Sequence, residues 1–318
     1  MIASPDRRYF ASIGRESGFR VGPLETVYRL AQLLAGIGER FGDELSLRGG
    51  TALNLLHLDV PRLSVDIDLD FVGTADAEQA RQRRPQLLAE IEALAQAAGY
   101  EVAQERASYA MAHLRLRYLD ADGRPALLKF DVNFLDRVSV LPPVRLAVRH
   151  PFGDDLAAST MLTFALPELA AAKTIALVRR ALPRDLFDAA MLATLPDLDV
   201  ERMRTVLVVR GASYPPPSPR GYSLDVVDRV RTISWRSEVL ALCRRPPPVT
   251  LEDARAQATG LLRTVTELEP GHLEFLDHLE RGELRPDVLP EAELRDRVAA
   301  NPGLLWRLRV GAEGLEER

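Results

Sequence analysis

Between residues 24 and 41 apolar side chains recur at spacings of three and four (Leu24, Val27, Leu30, Ala31, Leu34, Ile37, Phe41), which predicts an amphipathic helix. The period then changes. Glu44-Leu45-Ser46-Leu47-Arg48 alternates as a short strand, Gly49-Gly50 reads as a turn, and Thr51 to Leu56 returns to helical spacing. Asp66-Ile67-Asp68-Leu69-Asp70-Phe71-Val72 alternates acid and apolar, so a strand here sets Asp66, Asp68 and Asp70 on one face and Ile67, Leu69 and Phe71 on the other. Residues 77–98 read as a helix and 109–119 as a strand. Asp120-Ala121-Asp122-Gly123 is a hairpin turn, and 127–135 is the returning strand, with Phe130, Val132 and Phe134 opposed to Asp131 and Asn133. From Pro167 onward the pattern is almost entirely helical: 167–181, 185–194, 199–210, 223–244, 251–266 and shorter helices to the end, with breaks at Pro183, 215–219, 246–248 and Pro270-Gly271. The expected fold class is therefore α/β (α+β): a mixed sheet in residues 1–160, followed by a predominantly helical domain in 161–318.

Composition narrows this picture. The 318 residues are 47% hydrophobic and 27% charged with a formal net charge of −5, an ordinary globular balance. No stretch approaches the roughly 18 apolar residues of a membrane span, and the first residues lack the apolar run of a signal peptide, so no membrane partner and a cytoplasmic location are expected. One cysteine, Cys243, excludes an internal disulfide framework and a cysteine-rich zinc cluster, leaving carboxylates for any metal chemistry. Residues 201–250 carry nine arginines against four acids, while 251–318 carry nine against fifteen, so the middle of the chain suits a polyanion better than the tail. Only Lys129 and Lys173 are lysines. Arginine does not imitate a compact ammonium on a phosphate, which singles out both.

Three same-face aspartates repel one another, and a divalent cation relieves the repulsion. Mg²⁺ takes hard oxygen ligands, usually one or two carboxylates together with substrate phosphates, so Asp66 and Asp68 are its natural ligands, with water-facing aspartates on an edge strand as the plain alternative. Gly49, Gly50 and Thr51 lie between strand and helix, where amides and the positive helix end favour an anion. Asp185 reads as a helix N-cap behind Pro183-Arg184. His57 reads as a packing residue.

Gly49-Gly50-Thr51, then Asp66-x-Asp68, then Asp131 on a later strand resemble the core of the nucleotidyltransferase superfamily. Leu47 to Leu55, Arg62 to Leu69, Glu168 to Lys173 and Arg184 to Ala189 are similar to the AbiEii/AbiGii-type nucleotidyltransferase toxins of type IV toxin–antitoxin systems. The resemblance implies a nucleotidyltransferase-like sheet and a metal (Mg²⁺, with Mn²⁺ as the alternative) held by Asp66, Asp68 and Asp131. It implies nucleotide contacts from Gly49, Gly50, Thr51, Arg62, Ser64 and Lys173, and catalytic roles for Asp66, Asp68, Asp131, Lys173 and Asp188. An NTP donor, an RNA acceptor (foremost the tRNA 3′ end) and a cognate antitoxin follow from the same resemblance. Transfer to a small molecule or a protein hydroxyl, and a non-catalytic nucleotide-binding module, are the alternatives.

Overall fold

The computed structural model describes residues 5–104, 108 and 110–314. The chain forms two compact units, one made of the residues up to Arg137 with Pro143–Thr163 and Leu240–Pro248, the other of Val138–Pro142, Phe164–Val239 and the residues from Val249 on.

The first unit opens with helices α1 (Arg7–Ser17) and α2 (Val21–Arg40), and α2 buries the predicted stripe of Leu24, Val27, Leu30, Leu34 and Ile37. Strand β1 (Leu45–Leu47), the short helix α3 (Gly49–Ala52) with a π-helical turn over Leu53–His57, and β2 (Asp66–Phe71) follow. Helix α4 (Ala77–Ala97) starts where the Asp76 carboxylate accepts the Gln79 N–H. Then come β3 (Glu101–Gln104), β4 (Met111–Leu119), β5 (Pro125–Asn133), β6 (Val144–Ala147) and β7 (Thr160–Thr163). Tyr109, the expected start of a strand, lies outside the described residues.

The seven strands form one mixed sheet in the order β3-β4-β5-β2-β1-β7-β6. β2 runs parallel to β5 and antiparallel to β1. Ile67, Leu69, Ala112, Leu114, Leu116, Phe130 and Val132 are sealed on the apolar face. Each such side chain contributes about 1.5–3 kcal/mol for the larger residues, and this burial fixes the register: a one-residue slip would bury the acids instead.

The second unit is helical: α5 (Leu166–Arg180), α6 (Pro183–Ala193), α7 (Val200–Ala212), α8 (Thr232–Ser234), α9 (Leu251–Thr266), α10 (Pro270–Glu280), α11 (Arg295–Ala299) and α12 (Pro302–Gly314). α5 packs on α6 and α7, and α6 on α9. The segment Val138–Pro142 is fastened to these helices by the buried Glu168 carboxylate. It accepts the N–H groups of Val140 at 3.1 Å and Leu141 at 2.7 Å and pairs with Arg210 at 3.0 Å. Burial pushes the Glu168 carboxyl above its usual range, against the opposite pull of Arg210 and the two amides.

Three expectations need correction. The helix read over 223–244 is broken into a 3₁₀ segment (Leu224–Arg229) and short turns over 232–239, because the chain leaves for the other unit at Leu240 and because Val226, Val227, Val230, Thr232 and Ile233 are β-branched. Gly49-Gly50 is not a separate turn but the first turn of α3. Asp185 is not an N-cap: Leu182 holds that position with Pro183 behind it, and Asp185 is the third helical residue, turned to basic partners.

Candidate active site

The pleat carries the alternation of β2 directly into geometry. Asp66 and Asp68 are half-buried on one face, and the register of β2 against β5 sets Asp131 beside Asp68 and Asn133 beside Asp70. Across the hairpin, His113 on β4 stands opposite Asp131. On the other side the Arg48 N–H donates to the Asp68 carbonyl at 2.9 Å, extending β1 by one step. Arg48, Asp68, Asp131 and His113 thus form a polar row across four strands.

Gly49 shows why glycine stands at this bend. Its φ is +73°, and a Cβ there would lie 2.6 Å from Asp68 Oδ2, so any side chain would displace the carboxylate. Thr51 is fully buried and its hydroxyl donates to the Asp66 carbonyl, which ties the start of α3 to the start of β2. The Asn54 amide donates to the Gly50 carbonyl at 2.9 Å. Arg62 and Ser64, expected at the nucleotide, are both buried. Arg62 bridges to Cys243, and the Leu63 N–H donates to the Leu242 carbonyl, so the Leu240–Pro248 segment braces the loop into β2.

The acids do not share one role. Asp70 is fully buried, pairs with Arg48 Nε at 3.0 Å and accepts from Asn133 Nδ2 at 2.8 Å, so the third aspartate of the run belongs to the scaffold. Asp131 Oδ1 takes His113 Nδ1 at 2.9 Å and Arg115 Nη1 at 3.3 Å. Asp66 and Asp68, both half-buried on this face, offer hard oxygens of the kind a divalent ion takes. Among the described residues no group of three His, Cys, Asp or Glu stands arranged around a common metal position. A two-carboxylate site needs none, since Mg²⁺ fills its octahedron with water and phosphate oxygens.

Arg48, Asn133, His113 and Arg115 were not singled out from the sequence. Counting outward from the Asp120–Gly123 turn would have placed His113 against Asp131, but Arg48 and Asn133 need the full strand order.

In the second unit, α5 and α6 form the expected helical hairpin. Lys173 Nζ sits 2.7 Å from Asp188 Oδ2 and 3.9 Å from Asp185 Oδ1. Arg180 grips Asp185 with two bonds of 2.6 and 2.9 Å. The Lys173 side chain is 9% exposed and that of Asp188 is 0% exposed, so this ion pair is largely buried, with Lys173 retaining a small exposed surface. The basic middle of the sequence is neutralised only in part: Arg204 pairs with Glu201 and Glu269, Arg210 with Glu168, Arg220 with Asp277 and Arg202 with Glu293, whereas Arg229, Arg231, Arg236, Arg244 and Arg245 are exposed.

The chain is similar in structure to MenT4, a nucleotidyltransferase toxin from Mycobacterium tuberculosis H37Rv, with a TM-score of 0.64 at 20% identity over 91% of this chain and 98% of that one. A candidate nucleotidyltransferase from H. pylori aligns with a TM-score of 0.49 at 16% identity, over 77% of this chain and 95% of that one. No curated protein matches the sequence. The family model "Nucleotidyl transferase AbiEii toxin, Type IV TA system" matches residues 32–294 and so takes in both the strand acids and the Lys173 cluster. The chain belongs to the AbiEii nucleotidyltransferase toxin family of type IV toxin–antitoxin systems.

Proposed function

We propose that this nucleotidyltransferase moves a nucleoside monophosphate from an NTP to an RNA acceptor in the cytoplasm, the tRNA 3′ end foremost, and that a cognate antitoxin restrains it. The observation that carries the reading is the side-by-side placement of Asp66 and Asp68 with Asp131 on adjoining strands, the Asp68 carboxylate lodged against a glycine bend. Asp66 and Asp68 would hold Mg²⁺ or Mn²⁺, which when bound supplies positive charge to the triphosphate. Asp131, oriented by His113 and Arg115, accepts the proton of the attacking hydroxyl as the new O–P bond forms at the α-phosphorus, the α–β bridge breaks and pyrophosphate leaves. The glycine amides at Gly49 and Gly50 approach phosphate most closely, while Thr51, Arg62 and Ser64 act by fixing the loop around it. For Lys173, with Asp188 orienting it, contact with the triphosphate is proposed from the family motif and from its compact charge.

The test is incubation of each α-labelled NTP and Mg²⁺ with purified tRNA, total RNA, total protein or an aminoglycoside panel. Label on tRNA, abolished by Asp66→Ala, supports the reading. Label on protein or antibiotic alone reassigns the acceptor, and no transfer to any acceptor, or full transfer by Asp66→Ala, overturns it.

A further inference from the structure

A concentration of positive charge lies on the first unit, in a cavity whose lining includes none of the strand acids. A cavity of about 410 Å³ is lined by Ala11, Gly14, Arg15, Gly18, Phe19, Arg20, Val21 and Arg245, with no acid in its wall. Arg15, Arg20 and Arg245 are all exposed, and among the described residues none of their side chains has an ion pair or hydrogen bond. This sets them apart from Arg180, Arg204, Arg210 and Arg220, each of which has a carboxylate partner.

Three like charges converge here because the backbone forces them to. Gly18 ends α1 at φ +79°, and the Arg245 N–H donates to its carbonyl at 3.1 Å. A Cβ on Gly18 would lie 2.9 Å from the Arg245 carbonyl oxygen, so glycine is what lets the 240–248 segment approach. The next turn starts the 20-residue helix α2, whose N-cap residue Arg20 provides no side-chain cap, so its positive end adds to the guanidinium field. Guanidinium forks match phosphate oxygens, and a cationic concavity without counter-charge gains most from a multiply charged anion.

We infer that the Arg15–Arg20–Arg245 cavity is a phosphate-binding site separate from the nucleotide site. Its phosphate is either a link in the acceptor's phosphodiester backbone or the group of a free phosphate compound. The backbone source is favoured by continuity: the segment carrying Arg245 also bridges through Cys243 to Arg62, four residues before Asp66. Only that source rests on the proposed RNA acceptor.

The experiment compares the wild-type protein with Arg15→Gln/Arg20→Gln/Arg245→Gln and with a control of equal charge change on the same unit, Arg8→Gln/Arg40→Gln/Arg124→Gln. Affinity is measured for labelled single-stranded RNA across a salt series and for inorganic pyrophosphate by calorimetry. The expected result is a tenfold or greater loss of RNA affinity in the cavity variant, with the slope of log affinity on log salt reduced by about two, as three contacts of about 0.7 each imply. The control should change by less than threefold. Loss of pyrophosphate binding alone supports the site with a free phosphate compound as its ligand. Equal losses in both triples, or none, overturn the inference. A second readout needs no variant: RNA or pyrophosphate should protect Arg15, Arg20 and Arg245 of the wild-type protein from phenylglyoxal, and unprotected labelling at all three contradicts the proposal.

Discussion

The strand face around Asp68 and the helical hairpin around Lys173 hold their charges in opposite ways. On the strands, register sets like charges side by side on a half-buried face, and the apolar contacts beneath them maintain the arrangement. On the helices, unlike charges are paired in a largely buried cluster: Lys173 faces Asp188 and Asp185, and Asp185 also faces Arg180. On the proposed function the first arrangement serves to bind a cation rather than to support the fold. The second is part of what keeps its helices together, so its loss should be felt in folding as well as in activity.

The largest effect separates these two. Asp68→Asn should lower transfer by about three orders of magnitude or more, the scale of removing a group that acts on developing charge, while the unfolding free energy moves by less than about 1 kcal/mol. Steady-state transfer and urea unfolding on the same preparation check it, and a large stability loss would place Asp68 in the scaffold. Lys173→Met should fail in both respects, because a buried Asp188 left without its cation costs about 3–5 kcal/mol. Adding Asp188→Leu should restore much of the stability and none of the activity, and a double-mutant cycle without coupling would break the contrast.

Glu168→Gln should release Val138–Pro142 at a cost of about 2–3 kcal/mol, read as faster hydrogen exchange at the Val140 and Leu141 amides. The smallest effect is a pH dependence. His272 is buried, its Nδ1 accepts the Glu269 N–H at 3.3 Å, and burial lowers its pKa from 6.5 to about 4. The unfolded chain therefore binds the extra proton between about pH 6.5 and 4. His272 stabilises the fold fully above that window, and the contribution is lost as pH falls through it. Denaturation midpoints from pH 8 to 4 should fall less steeply for His272→Gln than for the wild-type protein, and parallel curves would remove the assignment.

Much of the sheet was legible because alternation in 66–71 and 127–133 is a direct imprint of the pleat, and the Asp120–Gly123 hairpin closed where its turn residues require. The hairpin of α5 and α6 was legible from Pro183. Strands β6 and β7 are four residues each, too short for a period, and α1 lies in a segment whose apolar spacing is weak. In the site, the Asp66–Asp68 pair could be read because its face follows from the sequence. The scaffold role of Asp70 could not, since its partners Arg48 and Asn133 come from two other strands. Regional charge was legible only as a sum: four arginines of 201–250 pair with acids, three of them with partners outside that stretch and Arg204 with acids both within and outside it, and five are exposed, a division that the sequence does not display.

The central claim, that Asp66 and Asp68 form a cation-dependent nucleotide site, is tested most directly by titrating each NTP into the protein with and without Mn²⁺. The wild-type protein should show a metal-dependent component of binding for at least one NTP, and Asp66→Asn/Asp68→Asn should lose that component by a hundredfold or more while keeping its unfolding midpoint. Metal-dependent binding of equal strength in the double variant would contradict the account.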